Sequence, residues 1–270
     1  MIDLGILEYG FFRNALLAGL FASISCGIIG SYVVVRRMVS ISGGISHAAF
    51  GGVGLGYLFG LDPLAGAFGF TTVIALGIGI LKEKAGQNLD TLVAAVWASG
   101  MALGIICISL APGYAPDLFS YLFGNILLVP GQDILLMAVL CAIILAVVAI
   151  LYTQLQAVTF DEEYARVMNL PVTRLSLLLL VLVAVTVVML IRVVGIILVI
   201  ALLTLPAATA RGFTKRLHTM MAASVCLGLL FSIGGLLLSY LLDIPSGATI
   251  ILLATAGYVI SLPITRAARG

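Results

Sequence analysis

The chain has 270 residues, of which 63% are hydrophobic and 9% charged, and its formal net charge is +2. A soluble domain carries about 25% charged residues, so this composition excludes a water-soluble enzyme and a disordered chain. An outer-membrane barrel is excluded as well, because the apolar segments are solid runs and not alternating stretches of about ten residues. The class that remains is an all-α polytopic membrane protein.

The first ten residues hold Asp3 and Glu8 and no basic residue. A cleaved signal peptide starts with positive charge, so the first apolar run is expected to be a true span. A helix needs about 20 apolar residues to cross the bilayer core. Nine runs qualify: residues 12–35, 41–59, 64–81, 91–110, 134–152, 175–191, 193–210, 220–242 and 248–263. The seventh is divided from the sixth only by Arg192, it contains Gly195, and Pro206 is expected to break it near its end. Eight or nine crossings per protomer follow.

Basic residues set the orientation. With nine crossings, Arg36, Arg37, Lys82, Lys84, Arg166, Arg174, Arg211, Lys215, Arg216, Arg266 and Arg269 fall on one side, and only Arg13 and Arg192 fall elsewhere. That side is the cytoplasm, which puts the N-terminus outside and the C-terminus inside. The outer face receives Asp3, Glu8, Asp62, Asp117, Asp133 and Asp243. An acidic rim attracts cations, although such carboxylates are also ordinary solvated loop residues. Cys26, Cys107, Cys141 and Cys226 each lie alone in an apolar run, as small buried hydrophobes do. No G-x-x-x-x-G-K-[ST] phosphate loop occurs, so any ATP chemistry belongs to another chain.

Two segments carry chemical information. The first is residues 40–56, SISGGISHAAFGGVGLG, in the second span. Gly52-x-x-x-Gly56 and Gly56-x-x-x-Gly60 are small-xxx-small patterns, most often a sign of close helix packing. His47 lies ten residues after Arg37. At 1.5 Å per residue that is about 15 Å along a helix, near the bilayer midplane. An ionisable group at that depth is costly and usually faces a polar cavity. A neutral imidazole is a common ligand for divalent transition metals, and a lone membrane histidine can equally hydrogen-bond a facing helix. One imidazole, with Ser42 and Ser46 as weak oxygen donors, falls short of the three or four ligands of a resident zinc site. It suits a transient stop on a path.

The second segment is residues 159–171, TFDEEYARVMNLP. Thr159 or Asp161 can cap a short helix whose first turn holds Asp161, Glu162 and Glu163, and Pro171 ends it. Phe160, Tyr164, Val167 and Met168 form one apolar stripe. Such a helix between two spans lies on a membrane surface or docks into a groove of a cytosolic partner.

Residues 33–48 (VVVRRMVSISGGISHA), 122–127 (LFGNIL), 160–166 (FDEEYAR) and 194–211 (VGIILVIALLTLPAATAR) occur in this order. Together they resemble the permease subunits of metal-importing ABC transporters, the ABC-3 family, over nearly the whole chain. The resemblance implies a single transmembrane permease domain over residues 1–270 and a functional homodimer. It implies two cytosolic ABC ATPase subunits and an extracytoplasmic metal-binding protein as partners, with no nucleic acid. The cargo it implies is a divalent metal ion, zinc or manganese and after them iron, with no permanently bound cofactor and no enzymatic activity in this chain. The location it implies is the multi-pass plasma membrane of a bacterium or archaeon.

The resemblance also assigns roles to residues. His47 would line the translocation path. A cytoplasmic coupling helix at about 159–170 would carry Phe160, Asp161, Glu162, Glu163, Tyr164, Ala165, Arg166, Val167 and Met168 against the ATPase. Docking of the binding protein is expected on the acidic rim, near Asp62, Asp117 and Asp243. One departure stands out: many family members carry Gly-Asp-x-x-x-His, and here the acidic position is Gly43. The nearest rival is a permease for siderophore or cobalamin-type chelates. A proton-driven metal carrier would want carboxylates within the spans, and an embedded enzyme would want a nucleophile with a base.

Overall fold

The structure, a computed structural model, describes residues 10–84, 89–112, 122, 124 and 126–267. Asp3, Glu8 and Asp117 lie outside the described residues, as do Phe123 and Asn125 of the 122–127 segment. Eleven α-helices are described, with one 3-10 turn at Ile126–Leu128. They are α1 (Gly10–Val35), α2 (Val39–Leu58), α3 (Pro63–Lys84), α4 (Leu89–Leu110), α5 (Gly131–Ile150), α6 (Tyr152–Phe160), α7 (Glu162–Val167), α8 (Val172–Val194), α9 (Ile196–Phe213), α10 (Leu217–Leu242) and α11 (Ser246–Ala267).

Eight of them are long and apolar enough to cross a membrane: α1, α3, α4, α5, α8, α9, α10 and α11. α2 has 20 residues but carries His47, Ser40, Ser42, Ser46 and six glycines, and it is not among these eight. Its length still gives about 30 Å of rise, the thickness of the hydrocarbon core. The nine expected runs therefore correspond to eight clearly apolar helices and one polar one.

The seventh run behaves differently from expectation. Its start is set by Gly195, whose φ of 80° only glycine adopts readily, and not by Arg192, which lies inside α8. Pro206 is buried within α9 and does not end it. A bilayer offers no water to satisfy a broken backbone, so a helix there runs on through proline. Gly124 packs at the same break with a φ of 62°, and a Cβ on it would strike the backbone of Val194 and Gly195. The 122–127 and 194–211 segments therefore meet at two glycines.

The chain divides into two compact units. One comprises Met1–Val34, Phe119–Leu145 and Met189–Gly270. In it α1 crosses α9 and α10 at glycine: a Cβ on Gly27 would lie 2.8 Å from the Val225 backbone nitrogen, and one on Gly30 would strike the Leu203 carbonyl. Ser23 and Ser232 share a hydrogen bond of 3.3 Å between α1 and α10, and Arg211 donates to the Val34 carbonyl at 3.1 Å, closing the end of α1.

The other unit comprises Val35–Leu118 and Ala146–Val188 and holds α2, α3, α4, α6, α7 and most of α8. Here α2 lies between α3 and α4 with almost no side chain at the contacts. A Cβ on Gly54 would lie 2.6 Å from the Gly104 carbonyl, one on Gly100 2.7 Å from the Ala48 Cα, and one on Gly56 2.7 Å from the Pro63 Cα. Gly100-x-x-x-Gly104 on α4 is thus the counterpart of the glycine patterns on α2. This helix packing is the role small-xxx-small patterns most often serve.

Candidate functional site

The residues singled out in α2 and near α7 fall in one compact unit, together with α3, α4 and the start of α8. His47 sits on α2 where that helix crosses α4. Its ring stacks on the indole of Trp97, with centroids 4.1 Å apart and an interplanar angle of 11°. Its Nδ1 is buried and has no hydrogen-bond partner among the described residues. One turn earlier, Gly43 is buried, yet a Cβ placed on it would meet nothing within 4 Å. The unpaired Nδ1 shows that the imidazole does not lock two helices through a hydrogen bond at that nitrogen.

The two serines are turned the other way. Ser42 donates to the Val39 carbonyl at 2.8 Å and Ser46 to the Ser42 carbonyl at 2.8 Å, so both hydroxyl protons are held by their own helix. Among the described residues no group of three His, Cys, Asp or Glu side chains gathers to hold a metal ion. His47 can offer a transient ligand and not a closed cage.

The 159–170 segment is two helices and not one. Phe160 is the last residue of α6, and Thr159 belongs to that helix, its hydroxyl donating to the Leu155 carbonyl at 2.6 Å. Asp161 is the break: its backbone is extended, and its Oδ1 accepts from the Tyr164 N–H at 2.9 Å, capping α7. α7 is only six residues long. Asn169 then takes φ 57°, with Leu170 N–H returning to the Ala165 carbonyl and Asn169 N–H to the Arg166 carbonyl, both at 3.0 Å. That left-handed stop ends the helix before Pro171. The four residues expected to form the stripe are all exposed, Phe160 on α6 and the others on or just after α7. Phe160, Tyr164, Val167 and Met168 are 59%, 56%, 78% and 57% exposed, whereas Ala165 is fully buried.

An unforeseen ion pair ties α7 to the membrane helices. Arg36, in the α1–α2 turn, pairs with Glu162 and donates to Ser176 Oγ of α8 at 3.1 Å. The Arg36 side chain is only 4% exposed and that of Glu162 41%. Its neighbour Arg37 holds φ 56°, a left-handed residue in the tight turn that leads into α2. A cleft of about 170 Å³ opens beside the pair, lined by Met38, Arg166, Thr173 and Ser176 among others.

The acidic rim residues have local roles. Asp62 precedes α3, and its Oδ1 accepts from the N–H groups of Leu64 at 2.7 Å and Ala65 at 3.1 Å. Asp243 is exposed and left-handed at the end of α10. Asp117 lies outside the described residues. Sequence reasoning missed Trp97 and the Arg36–Glu162 pair. The signal for Trp97 was its being the chain's single tryptophan, set in an apolar run.

Comparison with known proteins places the chain in a family. The family model of the ABC 3 transport family matches residues 8–265. An uncharacterized membrane protein of Synechocystis is 49% identical over 96% of this chain and 92% of its own. The manganese transport system membrane protein MntC of Listeria innocua is 36% identical over 95% of this chain and 91% of its own. The structure of PsaBC from Streptococcus pneumoniae in complex with Fab matches with a TM-score of 0.86 at 35% identity, covering 95% of this chain and 92% of that one. The chain therefore belongs to the ABC 3 transport family, as a multi-pass membrane subunit of a transporter and not an enzyme.

Proposed function

We propose that this chain is the permease subunit of an ATP-driven bacterial importer that carries a divalent transition metal ion into the cytoplasm, manganese before zinc or iron. The observation that carries this reading is His47, an imidazole with an unpaired buried nitrogen on a glycine-walled helix next to open space. The likeness to a manganese transport system membrane protein supports manganese as the cargo.

In this reading residues 1–270 act as one permease domain in the inner membrane, with the N-terminus outside and the C-terminus in the cytoplasm. Two copies form the path, and two ATPase subunits and an extracytoplasmic metal-binding protein complete the transporter. The binding protein meets the rim near Asp62, Asp117 and Asp243. The ion then reaches His47, where the imidazole replaces part of its hydration shell. A single neutral ligand binds weakly enough to let the ion leave. On the cytoplasmic side the exposed stripe of Phe160, Tyr164, Val167 and Met168 inserts into the ATPase. Glu163 and Arg166 supply the charged rim of that contact. ATP-driven movement enters through α7.

The test is metal accumulation in cells lacking the protein, rescued by the wild type or by His47→Ala. Manganese should fall on deletion, and His47→Ala, present in the membrane at wild-type level, should fail to restore it. A fall in zinc or iron instead would reassign the cargo. No change in any metal would refute the reading and point to organic chelates.

A further inference from the structure

We propose that Trp97 is a positioning residue for His47: its indole takes over the task of fixing the imidazole plane, so that the Nε2 edge of the ring is presented to a divalent cation. The inference deepens the metal reading of His47 and rests on it.

Val93, Trp97, Gly100 and Gly104 fall at i, i+4, i+7 and i+11, one stripe of α4. Val93, Gly100 and Gly104 are buried against α2. Trp97 lies in the same stripe and is 42% exposed, with its indole stacked on His47. The close glycine crossing leaves the two helices little freedom to separate, so the two rings are held in register.

A metal ion binds imidazole in the ring plane, at a nitrogen, whereas stacking uses the ring face. The 11° stack therefore keeps the indole out of the imidazole plane, and since Nδ1 is buried it is the Nε2 edge that the stack would present to an ion. Metal-ligating histidines usually have their second nitrogen hydrogen-bonded to a carbonyl or carboxylate, which fixes tautomer and orientation. Here Nδ1 has no such partner among the described residues. The open space at Gly43 provides nothing to wedge the ring either. The indole is the group that remains to stop it rotating.

The chain's single tryptophan makes the site its own reporter. The full-length permease in lipid nanodiscs is excited at the indole and titrated with Mn²⁺ and Zn²⁺, with Mg²⁺ as control. Without metal, His47→Ala should change the emission lifetime and His47→Phe, which keeps a ring, should change it less. Mn²⁺ should quench the wild type saturably, and His47→Ala should abolish the saturable part. In the assembled transporter, Trp97→Leu should raise the KM for Mn²⁺ uptake about five- to tenfold, the loss of one aromatic stack. Its maximal rate per permease should stay within about twofold of wild type, and Trp97→Phe should restore KM. A merely structural role would lower abundance and leave KM unchanged.

The outcomes separate cleanly. A saturable wild-type response with Trp97→Leu unchanged in KM, or Trp97→Phe as poor as Trp97→Leu, overturns the role of Trp97 alone. No saturable response to either metal, with the metal-free lifetime change intact, overturns the metal reading of His47 and the role of Trp97 with it.

Discussion

Glu162→Gln isolates the charge on α7 while keeping the shape of the side chain. It leaves the Arg36 guanidinium, 4% exposed, without its counter-charge, facing a neutral amide oxygen and the Ser176 hydroxyl. Breaking a fully buried ion pair by removing one partner costs about 3–5 kcal/mol, and an exposed pair contributes about 0–1 kcal/mol. This pair is buried at one end and 41% exposed at the other, so the expected cost lies between, about 2 kcal/mol. That amounts to about a 30-fold shift toward states in which α7 has left Arg36. Hydrogen exchange reads this directly: the Ala165 amide, held by the Asp161 carbonyl at 3.1 Å, should exchange about 30-fold faster in the variant. Glu163→Gln, on an exposed neighbour, should alter exchange by less than about threefold. The paired exchange Arg36→Glu with Glu162→Arg should recover most of the protection. Unchanged exchange in Glu162→Gln, or a double variant as fast as the single one, would refute the clamp.

Three further substitutions test the packing and chemistry around α2. Gly54→Val should cost about 3 kcal/mol or more and lower the thermal midpoint of the purified permease, since its Cβ would lie 2.6 Å from the unyielding Gly104 carbonyl. Gly69→Ala on α3, with nothing within 4 Å of the new Cβ, should be neutral or raise the midpoint through helix propensity worth about 1 kcal/mol; equal effects of the two would sink the packing argument. Gly43→Asp should fold, since the space at its Cβ is open, and should set a carboxylate one turn from His47. Equilibrium binding of Mn²⁺ or Zn²⁺ should tighten at least tenfold while release slows, and unchanged affinity would show that the side chain does not reach the ion.

The spans were legible because a run of some 20 apolar residues has few other uses, and α1, α5 and α10 follow their runs closely. His47 was legible because an ionisable group in such a run is costly. The boundary at Gly195 was harder, since only its positive φ distinguishes it from the many glycines packed inside helices. Thr159 and Asp161 were both legible as caps, and the capping bond from the Tyr164 N–H to Asp161 settles which one starts the helix. The Trp97 stack joins residues 50 apart and the Arg36–Glu162 pair residues 126 apart. Such pairs depend on which helices become neighbours, and hydrophobic periodicity carries no information about that.

The glycine crossing of α2 and α4 has a mechanical consequence. Ordinary helix pairs slide a little because side chains between them change rotamer and absorb the strain. At Gly54, Gly100 and Gly104 main chain approaches main chain, and apart from the Phe50 ring against Gly104 little side chain is there to act as a cushion. The two helices form one stiff bar, with the imidazole on one half and the indole on the other. A push on α2 moves both rings together.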